Sequence, residues 1–108
     1  MSRKVAGAYS KLSSAVRRFL WWVFTGNRGG VNRARIIVTI KEKPLNANQL
    51  SQALGVDYKT IRHHLNVLLK NRLIVEVGQG YGSMYFLSPE LEQNYEEFIR
   101  IWEKIELK

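Results

Sequence analysis

The chain is 108 residues long, 45% apolar and free of cysteine, so it supports one ordinary core and excludes disulfides and thiolate metal sites. Its net charge of +8 and pI near 10.1 call for a polyanionic partner, nucleic acid being the simplest. No apolar run approaches the roughly 20 residues of a membrane span, and the aromatic run from Phe19 to Phe24 lacks the cleavage site of a signal peptide.

Residues 5–24 predict a helix, because Val5, Tyr9, Leu12, Val16, Phe19 and Val23 recur at steps of 4, 3, 4, 3 and 4 and make one apolar stripe. Trp22 widens that stripe, and Arg17 and Arg18 flank it. The glycines of Thr25–Gly30 cost too much backbone entropy for a helix, so this stretch reads as the one clear linker. Residues 32–43 predict a second helix, capped by Asn32, that buries Ala34, Ile36, Ile37 and Ile40 and stops before Pro44. Leu45 fits a strand of one or two residues.

The most informative stretch is 46–66, NANQLSQALGVDYKTIRHHLN. Asn46 and Gln49 resemble a capping box for a helix over 47–54. Ser51 is small where two helices must approach. Gly55 suits a left-handed turn, and Asp57 is placed to cap the helix running from Tyr58 to about Asn71. Ile61, Leu65 and Leu68 form that helix's apolar face. Tyr58, Lys59, Arg62, His63 and Asn66 share the opposite one. A helix with one apolar and one donor-rich face, presented by a tight turn, suits the major groove of DNA.

Leu73–Val77 and Met84–Leu87 read as strands joined by the glycine-rich turn 78–83. A hairpin directly after a helix-turn-helix is a wing. Ser88 as cap and Pro89 at the first helical position start a last helix, with Leu91, Tyr95, Phe98, Trp102 and Ile105 at steps of 4, 3, 4 and 3. The expected fold is mainly α with a small β-hairpin wing, a winged helix-turn-helix with extra N- and C-terminal helices.

Charge follows the same division: +9 over 1–45, +2 over 46–88 and −3 over 89–108. The DNA-facing charge therefore belongs to the first half and the middle. Tyr58, Lys59, Arg62, His63 and Asn66 are the expected base contacts. Arg62 can present a fork to guanine and Asn66 to adenine, and Lys59 also suits phosphate. Arg28, Arg33, Arg35, Asn48, Gln49, Thr60 and Lys70 are the expected phosphate contacts, with Gln79, Tyr81 and Ser83 on the wing. The competing reading makes each of these a merely solvated polar group. His63 and His64 point about 100° apart on a helix and cannot chelate one ion, so no metal is expected. His64 should pack inward, hydrogen-bonded to backbone.

From Ile36 to Leu87 the chain resembles the ArsR-like winged helix-turn-helix regulators of bacteria and archaea. The segments LSQALGV, KTIRHHLNVLLKNRLI and YFL carry the likeness over about half the chain. The resemblance implies a recognition helix beginning near Tyr58, a hairpin that touches the minor groove or backbone, and terminal helices that build a homodimer. Two features depart from it. The wing tip carries no basic residue, and the cysteine motif of metal-sensing members is missing.

The two terminal seams, if exposed, exceed the apolar patches monomers tolerate. The expected interface therefore unites Val5, Tyr9, Leu12, Val16, Phe19, Trp22 and Val23 with Leu91, Tyr95, Phe98, Trp102 and Ile105, basic flanks lying near Glu92, Glu96 and Glu103. The alternative folds both helices back onto their own core. The division is a dimerisation helix at 1–27, a DNA-binding winged helix-turn-helix at 31–88 and a second dimerisation helix at 89–108. The function that follows is a homodimeric, sequence-specific regulator of transcription that binds double-stranded DNA, with half-sites roughly 34 Å apart. Cytoplasmic, nucleoid-associated placement fits. No catalytic constellation stands out, so no enzymatic activity and no cofactor are expected. A protein-interaction adaptor and a non-specific architectural DNA binder remain as alternatives. The Arg17–Phe24 stretch also allows a membrane-surface helix.

Overall fold

The computed structural model describes residues 2–26 and 28–106, with side chains from Ser14 onward. Val5, Tyr9 and Leu12 of the expected interface lie outside the described side chains. The N-terminal stripe forms helix α1 (Ser2–Thr25). Helix α2 (Gly30–Glu42) begins two residues earlier than expected, because Gly29 takes the N-cap position in a left-handed conformation (φ 88°). Asn32 is therefore inside the helix and not its cap; its side-chain oxygen accepts from Arg35 Nη1 at 2.9 Å. The glycine stretch between the two helices is no slack connection. A Cβ on Gly30 would lie 2.3 Å from the Phe24 carbonyl oxygen, so the corner is packed backbone to backbone.

Helix α3 (Ala47–Leu54) carries the full capping box: Gln49 N–H donates to Asn46 Oδ1 at 2.8 Å and Asn46 N–H to Gln49 Oε1 at 2.9 Å. Gly55 ends it with φ 67°, as a left-handed corner requires. Ser51 does more than stay small, since its hydroxyl donates to the Val56 carbonyl at 2.6 Å and ties the turn to α3. Helix α4 (Tyr58–Lys70) starts at Asp57, whose carboxylate accepts from the Thr60 N–H at 3.0 Å and the Thr60 hydroxyl at 2.7 Å. Those bonds hold the Asp57 carboxyl below the usual carboxylate range, the Thr60 hydroxyl acting most. Helix α4 closes on a Schellman motif, Leu73 N–H bonding Leu68 O and Arg72 N–H bonding Leu69 O, each at 3.0 Å.

Strands β1 (Ile74–Val77) and β2 (Met84–Leu87) pair antiparallel, Ile74 opposite Leu87 and Glu76 opposite Tyr85, with a 3₁₀ turn at Gly80–Gly82. Leu45 bridges to Tyr85 as a one-residue strand, so the hairpin is stitched to the segment that precedes α3. The expected last helix is two, α5 (Pro89–Gln93) and α6 (Tyr95–Glu106). Asn94 breaks it: its side-chain amide donates to the Glu90 carbonyl at 2.9 Å and its own carbonyl accepts from Glu97 N–H at 3.0 Å. Ser88 caps α5 and Pro89 occupies its first turn, as read from the sequence.

One core joins these elements, built on Ile36, Ile37, Leu50, Ile61, Leu65, Leu68 and Tyr85, and roofed by α1 and α6. Phe24 meets Phe98 edge-on at 5.0 Å. This corrects the expected seam. Val23, Leu91 and Phe98 are buried in the protomer's own core and cannot face a partner. The buried face of α1 is centred on Leu20, Val23 and Phe24, a rotation away from the Phe19–Val23 line, because an i, i+3, i+4 cluster fills the space over α6 better. Val16, Tyr95, Trp102 and Ile105 pack partly against the same core. Phe19, Trp21 and Trp22 remain outside, Trp22 55% exposed. Within the chain Arg17 of α1 pairs with Glu97 at 3.5 Å, an acid outside the expected set, and Glu92 pairs with Lys41 of α2 at 2.8 Å.

Candidate nucleic-acid interface

Helix α4 sorts its side chains by face. Ile61, His64, Leu65 and Leu68 are buried, whereas Lys59, His63, Asn66 and Lys70 form an exposed stripe at steps of 4, 3 and 4. Such a stripe presents amine, imidazole and amide donors along one line of a helix whose start is fixed by Asp57 and whose approach is fixed by Gly55. Asn48 and Gln49, at the start of α3, are exposed as well, as is Arg28.

Tyr58 and Arg62 lie on the wing side of α4 and are half-buried. The Tyr58 ring tilts against Tyr81 of the wing, centroids 6.4 Å apart, and Tyr81 is 85% exposed. Arg62 Nη1 donates to the Tyr85 hydroxyl at 2.7 Å, and that hydroxyl donates to Glu76 Oε2 at 3.2 Å. Tyr58, Arg62, Glu76, Gly80 and Tyr81 enclose a cleft of about 350 Å³ between helix and wing. Burial raises the Tyr85 phenol above its ordinary range, with Arg62 opposing and Glu76 adding to the rise. Sequence reasoning passed over Tyr85 and Glu76. The only signal was alternation: in Met84-Tyr-Phe-Leu87 the position paired with Glu76 points its side chain to the same face.

Three expected contacts, Arg33, Thr60 and Ser83, are corrected. Arg33 is 3% exposed; its Nη2 donates to the Val23 carbonyl at 3.1 Å and its Nη1 faces His64 Nδ1 at 3.5 Å. It closes the C-terminal end of α1 and has no reach to a phosphate. Arg35 is half-buried and donates to Asn32 Oδ1 at 2.9 Å and to the Leu54 carbonyl at 3.1 Å, where it braces the end of α3. Both donors of Thr60 are spent on Asp57. Ser83 is 1% exposed with its hydroxyl enclosed, so the wing offers Gln79 and Tyr81 and not Ser83. His64 packs inward as expected, but against Arg33 and not against backbone. Burial, then Arg33, then His63 hold the His64 imidazole below its ordinary range.

Among the described residues no three His, Asp or Glu side chains gather as metal ligands, and no helix is long and apolar enough to cross a membrane.

Residues 30–75 match the family model for bacterial regulatory proteins of the arsR family. No curated protein sequence matches the chain. Its fold is similar to that of a "probable transcriptional regulator" from Pseudomonas aeruginosa (23% identity, 94% of this chain and 79% of that one, TM-score 0.62). It is also similar to the transcriptional regulator BldR from Sulfolobus solfataricus (11% identity, 97% and 82% covered, TM-score 0.63). A third similar structure is a mutant of S. aureus MepR bound to an oligodeoxyribonucleotide (14% identity, 99% and 80% covered, TM-score 0.58). The family match covers the α2–α4 helix-turn-helix and the start of the wing, and the likeness in fold extends over both terminal helices. The chain has a winged helix-turn-helix fold, and its residues 30–75 match the model of the arsR family of bacterial regulatory proteins.

Proposed function

We propose that the protein binds double-stranded DNA as a homodimer and regulates transcription by occupying a promoter, with no chemistry of its own. The observation that carries this reading is the exposed Lys59–His63–Asn66–Lys70 stripe on a helix capped at one end and locked by a Schellman motif at the other. In this reading Lys59, His63, Asn66 and Arg62 meet base edges and Tyr58 meets a sugar or a thymine methyl. Arg28, Asn48, Gln49 and Lys70 hold phosphates, while Gln79 and Tyr81 of the wing reach the adjacent groove. Residues 31–88 are the DNA-binding unit. Residues 1–27 and 89–108 supply the dimer contact through what they leave exposed, Phe19, Trp21 and Trp22 above all. Two-fold symmetry would then place half-sites roughly 34 Å apart.

Anisotropy titration of a random duplex at two salt concentrations tests this reading. Affinity should fall with salt at a slope near −0.9 per phosphate neutralised. A flat or absent response would assign the fold to protein partners instead.

A further inference from the structure

Tyr85 and Glu76 are linked by hydrogen bonds to one proposed DNA contact, Arg62. We propose that these two residues position the Arg62 guanidinium to discriminate a guanine edge, and that this wing-to-helix network sets the sequence preference of α4. The proposal rests on the DNA-binding reading above. Left alone, an arginine on a helix surface is long, mobile and satisfied by any nearby phosphate. Here one donor, on Nη1, is tied at 2.7 Å to a hydroxyl whose ring is wholly buried. The anchor therefore cannot follow the guanidinium outward. Arginine has no acceptor, so the hydroxyl oxygen accepts from Arg62 and its own proton goes to Glu76 Oε2 at 3.2 Å. Tyr85 is held in turn by its N–H to the Leu45 carbonyl at 3.0 Å and by its register opposite Glu76.

Charge decides which ligand the corner favours. The Glu76 carboxylate shares the cleft with Arg62, Tyr58 and Tyr81, so a phosphate entering it would meet an anion as well as a cation. A base edge is neutral and bears acceptors. Guanine, with O6 and N7 side by side, takes the donors of the fork that Tyr85 leaves over.

The test uses the intact chain. A preferred duplex is first selected from a randomised pool. Anisotropy then compares that duplex, versions with each G·C pair replaced, and random duplex, at two salt concentrations. The wild type should favour one G·C pair by about tenfold or more. Arg62→Ala, Tyr85→Phe and Glu76→Ala should each lose the preference at that same pair. The salt slope on random duplex should hold or steepen in Tyr85→Phe and Glu76→Ala, since a released Arg62 turns to phosphate. Glu76 is exposed, so its alanine variant keeps the test alive if Tyr85→Phe fails to fold. Preference unchanged in Glu76→Ala, or in folded Tyr85→Phe, overturns the proposal. Salt-linked binding by the wild type without any G·C preference overturns it too, while leaving DNA binding intact. No duplex binding at all removes both.

Discussion

Arg33 Nη1 and His64 Nδ1 face each other at 3.5 Å beneath the outward side of α4. Because arginine can only donate, the imidazole accepts at Nδ1 and is the neutral ring with its proton on Nε2. Protonating it would set two cations side by side in a buried corner, and burial itself, the larger cause, already disfavours the charged ring. The pair ties α4 to the end of α1, since Arg33 also holds the Val23 carbonyl.

Stability should therefore depend on pH through His64. Its folded pKa lies below the unfolded value of about 6.5, so the unfolded chain binds the proton first. Stability is full above about pH 6.5, declines as pH falls through that value, and levels off below the folded pKa. Urea unfolding from about pH 5 to 8 measures this, and His64→Gln should flatten the slope; an unchanged slope would assign it to other groups.

The corner between α1 and α2 should be intolerant of a methyl group. Gly30→Ala places a Cβ 2.3 Å from the Phe24 carbonyl oxygen, a contact that only backbone movement relieves. A loss of about 1–3 kcal/mol is expected, as for other overpacked sites. Chemical denaturation reads it directly, and wild-type stability in the variant would show that the corner yields.

Arg72 holds φ 61° at the Schellman position where glycine is usual. A left-handed residue with a side chain costs about 1–2 kcal/mol, and glycine gives back part of that through unfolded-state entropy. Arg72→Gly should stabilise the protein by about 0.5–1 kcal/mol, seen as a higher urea midpoint at unchanged m-value.

The exposed line of α4 predicts graded effects on duplex binding. Lys70→Ala should weaken all duplexes alike and lower the salt slope by about one phosphate. Asn66→Ala should act on the preferred sequence and spare random duplex. Parallel titrations of both duplexes distinguish these outcomes.

Trp22 is exposed where the buried side of α1 ends, next in sequence to exposed Trp21. Trp22→Glu should shift sedimentation from dimer to monomer while leaving the thermal melt of the winged core nearly unchanged. A wild type that sediments as a monomer at micromolar concentration would remove the dimer from the proposal.

Local chemistry settles much of this fold without reference to any tertiary contact. Asn46, Gln49, Gly55, Asp57, Ser88 and Pro89 act on backbone groups within a few residues of themselves, so their roles are legible from spacing alone. The periodicity of α4 likewise separates its buried from its exposed side chains, because 3.6 residues per turn is a property of the helix and not of its surroundings.

What only the tertiary structure decided was where each wide apolar stripe and each long cation would end up. The stripe on α1 admits several rotations, and packing against α6 chose the one that buries Leu20, Val23 and Phe24 and leaves Trp22 outside. Arg33, Arg35 and Arg62 are alike in sequence terms, yet carbonyls, a histidine and a tyrosine distant in the chain claim them. Periodicity names the residues on a face. It cannot name a partner roughly 20 or 30 residues away, because that partner is chosen by how the finished elements fill space.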